Sequence, residues 1–257
     1  MKNTAKRIYL ILILILLYAP IITLVVLSFN NSKTRAKWGG FTGKWYISLF
    51  QNPDIMNALY TTLIIALLSA LIATLIGTVA SLGIQAMKPK MRTFMMGVTN
   101  IPMLNADIVT GISLMLAFIA FGISLGFKTV LIAHITFNIP YVILSVMPKL
   151  RQTSRYTYEA ALDLGASPIS AFFKVVFPDI LPGVLSGFLL AFTMSLDDFI
   201  ITHFTRGAGI NTLSTLIYSE VRRGIKPSMY ALSTVIFAAV LILLLISNFA
   251  PKKRQEK

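Results

Sequence analysis

Three aspartates stand in stretches of the sequence that are otherwise apolar, and their type and placement could line a polar pathway. Asp107 lies between apolar neighbours, and Asp197 and Asp198 are adjacent in SLDDFIITHF. A carboxylate within a membrane is costly, so it faces a cavity or a partner group. Adjacent helical residues point about 100° apart, so one acid of the pair can line a cavity while the other bonds a neighbouring helix. A hydrated helix end remains the alternative for the pair, and a structural hydrogen bond or ion pair remains the alternative for Asp107.

Several other kinds of chemistry are excluded by what the sequence lacks. The chain has no cysteine, which excludes disulfides, thiol catalysis and cysteine-based metal sites. It has two histidines, and His134 has no carboxylate near it in sequence, so we expect an interhelical hydrogen bond there rather than a metal site. Lys44 is followed by Trp45, where a phosphate-binding loop needs Ser or Thr. We therefore predict no catalytic residue, no metal site and no cofactor bound by this chain.

The elements that must hold these residues are long apolar segments. The chain of 257 residues is 56% hydrophobic and 12% charged, with a mean hydropathy of +0.78, whereas soluble domains carry about 25% charged residues. Six segments each reach the roughly 20 residues that a helix needs to cross a bilayer. We predict an all-α, polytopic membrane protein that forms one transmembrane domain over residues 1–257. The predicted spans are 8–29, 57–87, 94–121, 127–147, 181–204 and 229–250.

The net charge of +14 comes from short basic clusters between the apolar segments. Clusters in these positions indicate membrane orientation and contact with anionic lipids, so we predict no nucleic-acid partner. More of the basic residues fall on the side of the N-terminus than on the opposite side. This asymmetry predicts a multi-pass protein of the cytoplasmic membrane with both termini in the cytoplasm.

Local signals within the spans and in the last loop predict finer features. Ala73, Gly77 and Ser81 recur every four residues, a spacing that lets helix backbones approach closely in lipid. Pro102 removes a backbone donor and is expected to kink the third span. Apolar residues at helical spacing predict a short helix that ends near Gly224. That helix can dock an external protein or simply lie at the membrane surface.

The connection before the fifth span, residues 156–183, is named here the elbow segment. We expect a helix to begin at Glu159, because an acid favours the N-terminal end of the helix dipole, and Asp163 is a second acid in this part. Gly165 allows a tight turn, and Ser167 is expected to cap a second helix that starts at Pro168. Two further prolines are expected to break the chain before the fifth span; they are Pro178 and Pro182. A segment with a glycine turn, a helix cap and several prolines is better explained as a docking element than as a solvated loop.

The elbow segment resembles the EAA motif of ABC importer permeases. That motif is Glu-Ala-Ala, three residues, Gly, nine residues and then Ile-x-Leu-Pro. Its matching residues here are Glu159, Ala160, Ala161, Gly165 and Pro178, while Val175 and Phe177 replace the usual Ile and Leu. Most of the remaining chain, including SLDDFIITHF and TLSTLIYSEVRRGIKPSMYALST, is similar to the permeases of polyamine importers. Ser214 departs from the proline expected in the second of these stretches.

The resemblance implies a type I ABC importer permease fold in which the elbow segment, including Asp163, is a cytoplasmic coupling helix seated on an ATPase. The implied partners are an ABC ATPase dimer that binds ATP and Mg²⁺, a second homologous permease, and an external polyamine-binding protein or lipoprotein. Asp107, Asp197 and Asp198 would then offer negative charge to a spermidine or putrescine cation moving by alternating access.

Two alternatives remain at this point. The cargo of an ABC permease of this kind can be another small solute, although acids within the membrane argue against an anion. A stand-alone secondary transporter could use Asp107 as a proton relay, but we find no inverted internal repeat of the kind common in such proteins.

Overall fold

A computed structural model describes residues 2–32 and 37–249, and the regular structure in these ranges is helical, which confirms the predicted all-α class. The predicted last span includes Ala250, which lies outside the described residues, as do Lys33, Arg35 and the basic C-terminal residues. A π-helical turn, Phe172–Val176, joins two of the helices. The α-helices of the described ranges are α1 (Lys2–Ser28), α2 (Lys44–Gln51), α3 (Pro53–Ala86), α4 (Pro89–Leu104), α5 (Asp107–Ala120), α6 (Phe127–Gln152), α7 (Arg155–Asp163), α8 (Pro168–Ala171), α9 (Phe177–Asp197), α10 (Ile200–Thr205), α11 (Leu213–Arg223) and α12 (Pro227–Phe249).

The described residues fall into two compact units. One unit consists of the described parts of 1–56 and 217–257, and within it α12 packs against α1 and α2. The other unit is residues 57–216 and contains all the acids singled out from the sequence, together with the elbow segment. The helix predicted in the last loop is present as α11, and Gly224 follows it with φ +105°. The candidate site is therefore contained in the second unit.

Four helical stretches of the described residues are long and apolar enough to cross a membrane. They lie in α1, in α3, in α6 and in the run Pro168–Asp197, and the pair α4–α5 qualifies as a fifth if it counts as one span. α12 corresponds to the sixth predicted span, and its apolar stretch includes Pro227–Ala238. Five of the predicted spans thus have apolar helical counterparts of spanning length, and the total of six stays a prediction.

The third predicted span, 94–121, is not one kinked helix. α4 continues through Pro102 and ends at Leu104, Asn105 and Ala106 are extended, and α5 starts at Asp107 after a bend of 100°. The expected kink at Pro102 is therefore wrong in place and degree. A proline removes one hydrogen bond from the last turn of α4, and an acid in the first turn of α5 stabilises a new helix start. Both effects favour a full break after the proline rather than a kink at it.

The chain is not broken at the two prolines before the fifth span, contrary to the expectation. It is helical from Pro168 to Asp197, with Pro178 in the first turn of α9 and Pro182 inside that helix. The π-helical turn explains the tolerance at Pro178, because its wider hydrogen bonds, such as Phe177 N–H to Phe172 O, shift the bonding pattern just before this residue. The fifth span instead breaks at Asp198 and Phe199, between α9 and α10.

Small residues allow close packing of α3, α6 and α9. The predicted stripe Ala73, Gly77 and Ser81 is buried, which confirms its packing role. On α9, a Cβ added to Gly187 would lie 3.3 Å from the Cα of Val142 on α6. The apolar core around these contacts is formed by Ala70, Ala73, Val142, Val146, Leu150, Ile180 and Ala191. Close backbone approach makes α6 and α9 a tightly packed pair.

Candidate functional site

The three aspartates singled out from the sequence line one cavity. It has a volume of about 380 Å³ and lies where α5 begins and α9 ends; we call it the acid cavity. Its lining residues are Asp107, Phe137, Met194, Asp197, Asp198, Phe199, Ile200 and Ile201. The breaks before α5 and after α9 bring these carboxylates together, because each break places an acid at a helix end.

Asp198 is almost fully bonded within the protein. Its side chain is 9% exposed. Oδ1 accepts the N–H of Ile201 at 3.2 Å, and Oδ2 accepts both the N–H and the hydroxyl of Thr202 at 2.8 Å. Asp198 therefore satisfies the first free N–H groups of α10, as a helix-capping acid does. Little of its charge is left for a molecule in the cavity.

Asp107 and Asp197 are the two acids of the cavity that remain open to it. Both residues are exposed, and neither carboxylate forms an ion pair with a described residue. Asp107 is the first residue of α5 and Asp197 the last residue of α9. Two exposed carboxylates on one cavity wall create a negative site that a cation can enter.

His134 lies behind the acid cavity and joins three helices. It is 1% exposed on α6, and its Nδ1 is hydrogen-bonded to Ser195 Oγ on α9. Its Nε2 lies 2.9 Å from Thr202 Oγ1 and 3.4 Å from Asp198 Oδ2. The expected interhelical hydrogen bond is thus confirmed. No cluster of three metal-binding side chains occurs among the residues that the structure describes.

The network around His134 contains residues that sequence reasoning missed. Ser195 Oγ lies 3.1 Å from Ser69 Oγ on α3, and Thr129 donates its hydroxyl to the carbonyl of Thr205 at 2.7 Å. All four side chains are buried. In the sequence these residues are visible only as Ser and Thr within apolar helices. Because Ser and Thr often bond a carbonyl of their own helix, their presence does not indicate an interhelical network.

The elbow segment begins on α7, which starts at Arg155 after the N-cap Ser154, so the expected start at Glu159 is wrong. The first turn of α7 carries no acid, and the backbone of the preceding residue, Ser154, is extended. Glu159 and Ala161 are half-buried, whereas Ala160 and Asp163 are exposed. Glu159 therefore lies in the middle of the helix and Asp163 at its C-terminal end, and neither lies at its positive end.

The turn at Gly165 and the following cap form as predicted. Gly165 has φ +87°, its N–H bonds Leu162 O at 2.9 Å, and the N–H of Ala166 bonds Ala161 O at 3.1 Å. This pair of bonds is the Schellman arrangement, in which glycine takes the left-handed position. Ser167 Oγ accepts the N–H of Ser170 at 3.3 Å, and Pro168 opens α8.

Large apolar side chains project from the elbow segment into open space. Leu164 is 89% exposed and Ile169 is 72% exposed, one on each side of the Gly165 turn. Tyr156 is 81% exposed, and Pro178, the last residue of the motif, is also exposed. Exposed apolar groups on a rigid turn are typical of a protein docking surface.

Comparisons with known proteins agree with this arrangement. Residues 85–252 match the family model for the binding-protein-dependent transport system inner membrane component. The chain is 37% identical to the spermidine/putrescine transport system permease protein PotC of Escherichia coli strain K12, over 93% of this chain and 90% of that protein. It is 39% identical to the putrescine transport system permease protein PotI of the same strain, over 87% and 82%. A PotC protein of Haemophilus influenzae is 37% identical over 92% of each chain.

Two solved structures share the fold. A chain of a bacterial ABC transporter for import of the acidic polysaccharide alginate matches with a TM-score of 0.71 at 16% identity, over 99% of this chain and 96% of that chain. A chain of an amino acid ABC transporter crystallised with histidines matches with a TM-score of 0.53 at 19% identity, over 79% and 98%. These matches confirm the predicted ABC importer permease fold.

The relatives are transport permeases, so the prediction that this chain is not an enzyme is confirmed. A component of a binding-protein-dependent system works with other subunits, which agrees in outline with the predicted partners. The family match covers more than half of the chain, and the chain belongs to the binding-protein-dependent inner-membrane permeases of ABC importers.

Proposed function

We propose that this protein is one of two permease subunits of an ATP-driven importer that carries polyamines across the cytoplasmic membrane. The observation that carries the proposal is the acid cavity, in which Asp107 and Asp197 face open space without an ion-pair partner among the described residues. The function of the relatives, spermidine and putrescine transport, gives the cargo class.

The walls of the acid cavity suit an organic polycation. Carboxylates attract each ammonium group, and aromatic rings stabilise a cation that has lost part of its water. Phe137 and Phe199 line the same cavity as the two open acids. An anionic cargo would be repelled by these charges. We therefore assign putrescine and spermidine, with two and three positive charges, ahead of anionic solutes.

The elbow segment is proposed to seat in a partner ATPase. Two ATPase subunits would bind ATP and Mg²⁺, and an external binding protein, free or lipid-anchored, would deliver the polyamine. α6 leads into the elbow segment and α9 leads out of it, and the two helices pack closely through Gly183 and Gly187. Movement of the elbow segment would thus move the ends of α6 and α9 at the acid cavity as a rigid body. The pathway would then open alternately to the two sides of the membrane. This arrangement requires the elbow segment and both termini to be cytoplasmic.

The decisive experiment is transport by the reconstituted importer. Asp197→Asn and Asp107→Asn each remove one open charge, and we expect each to lower spermidine uptake by about tenfold, the effect of losing one hydrogen-bonded charge contact of about 1.4 kcal/mol. Asp54→Asn is the matched control, because Asp54 is an exposed acid in the first turn of α3 and does not line the acid cavity.

Normal uptake by both cavity variants would remove the acid cavity from the path. Uptake by the purified chain without the ATPase would contradict ATP coupling and favour the secondary transporter. Competition with putrescine, spermidine and sulfate distinguishes a polyamine path from one for another solute.

A further inference from the structure

The bonding around His134 fixes where its protons must be. The single hydroxyl proton of Thr202 is donated to Asp198 Oδ2, so Thr202 Oγ1 can only accept from His134 Nε2. Nε2 therefore carries a proton and points it at Thr202 and Asp198. In the neutral ring Nδ1 then accepts the hydroxyl of Ser195, and Ser69 can donate to Ser195 Oγ at 3.1 Å. Each group thus donates its proton to the next, from Ser69 on α3 through Ser195 on α9 and His134 on α6 toward Asp198.

The same contacts attach α10 to α6 at both ends. At its start, the capping carboxylate of Asp198 is held by His134, and at its end the carbonyl of Thr205 accepts the hydroxyl of Thr129. α10 has six residues, too few to hold its own position as an isolated helix. α10 also packs against α5, so these contacts make α6 one of the two helices that hold the turn between α9 and α10, where Asp197 meets the acid cavity.

We propose that His134 is a positioning residue of the cargo pathway: its Nε2–H bonds Thr202, lies 3.4 Å from Asp198, and so helps to hold the turn that presents Asp197 to the acid cavity. The proposal rests on the proposed function, because it assumes that cargo passes Asp197. It assigns different tasks to the two adjacent acids: Asp197 meets the cargo, and Asp198 anchors the helix end. His134 itself does not touch the cargo, since it is buried behind the cavity wall.

The position of His134 in α6 links this anchor to the elbow segment. α6 is one helix from Phe127 to Gln152, and α7, on which the elbow segment begins, starts three residues later. From His134 to Gln152 the helix rises about 27 Å at roughly 1.5 Å per residue. A displacement of the elbow segment can therefore reach the α9–α10 turn through a single helix and one side-chain contact.

The test compares two replacements of similar length in the complete importer. In His134→Gln the amide N–H can reach the place of Nε2, whereas His134→Met has a similar shape and no donor. Both lose the ring contact with Phe137, so that loss cancels in the comparison. We expect Met to lower the number of spermidine molecules moved per ATP hydrolysed by about tenfold, and Gln to recover most of it, because only Met lacks a donor for Thr202 Oγ1 beside the Asp198 carboxylate.

A second measurement does not depend on transport. The chain has no cysteine, so Asp197→Cys provides one spin-label site on it at the turn. We expect the label to be more mobile with Met at position 134 than with Gln. Equal mobility and equal transport of the Gln and Met variants would overturn the positioning role. Normal transport by Asp197→Asn in the same preparation would instead remove Asp197 from the proposed cargo path, whatever the His134 variants do.

Discussion

The elbow segment and the acid cavity are built in opposite ways. The turn of the elbow segment, around Gly165, is made by neighbours in sequence, and its large apolar side chains are exposed. The acid cavity draws its walls from four helices, and its anchor, His134 to Thr202, joins residues 68 positions apart. The proposed docking surface is thus set by local chemistry, whereas the proposed cargo surface depends on how the helices pack.

This difference predicts different consequences of mutation. A change at the Gly165 turn of the elbow segment should interrupt coupling while leaving the helix packing of the second unit intact, because the residues around this turn are mostly exposed. A change behind the acid cavity should lower stability as well as transport, because the same hydrogen bonds position the acids and hold the helices together.

The largest expected effect is that of Gly165→Val. Valine at φ +87° is strained, so the Schellman turn should open and Leu164 should lose its direction. We expect ATP-driven spermidine uptake to fall by more than about tenfold, since a strain of roughly 1–3 kcal/mol at this turn is enough for such a change. Uptake by the reconstituted importer is the measurement.

Gly209→Val is the matched control for that variant. Gly209 also has φ +87°, and an added Cβ would meet nothing within 4 Å at either glycine. Both valines therefore strain the backbone alike, and only one lies in the elbow segment. Equal loss of uptake in the two variants would mean that general strain, rather than docking, explains the effect at Gly165.

Asp198→Asn and Asp197→Asn should differ in their effect on the stability of the protein. Asp198→Asn removes the charge that binds His134 and the first N–H groups of α10, at an expected cost of about 2 kcal/mol in the free energy of unfolding. Asp197→Asn changes an exposed group and should leave the unfolding free energy within about 0.5 kcal/mol of the original. Thermal unfolding of the solubilised protein measures both. Equal thermal stability of the two variants would contradict the division of roles between the acids.

The elbow segment was the part of the molecule whose local structure could best be predicted from the sequence. The Gly165 turn and the Ser167–Pro168 cap follow from preferences of single residues, and both are confirmed. The expected helix start at Glu159 is wrong, because charge preference indicates which helix end suits an acid but does not require the acid to stand there. The expected break at the prolines is wrong because a π-helical turn just before Pro178 changes the local hydrogen bonding.

For the acid cavity, the sequence could predict only a set of candidate residues. Apolar surroundings were enough to single out Asp107, Asp197 and Asp198, and the structure brings all three to one cavity. A bond from one acid of the pair to a neighbouring helix was predicted, but its partner His134 was not, because that contact depends on the crossing of α6 and α9 and on the break after Asp197. A histidine with no acid nearby in sequence gave no signal that an acid lies beside it in space.

The smallest expected effect tests the packing that connects the two regions. Gly77 and Gly83 both lie in α3, and replacing either with alanine should gain roughly 0.5–1 kcal/mol of helix propensity. A Cβ at Gly77 would lie 2.7 Å from Val142 Cγ1 on α6, whereas one at Gly83 would have open space. Overpacking of this kind costs roughly 1–3 kcal/mol. We therefore expect Gly77→Ala to destabilise by about 1 kcal/mol net and Gly83→Ala to stabilise slightly, both measured by thermal unfolding.

The same pair also shows whether α6 connects the elbow segment to the acid cavity. Because Val142 lies between His134 and the elbow segment on α6, the clash at Gly77 should displace the helix between the two regions. The ratio of spermidine moved to ATP hydrolysed should then fall in Gly77→Ala and stay unchanged in Gly83→Ala. If both variants keep the original ratio while only Gly77→Ala loses stability, α6 carries the packing but not the coupling, and α9 must carry the coupling instead.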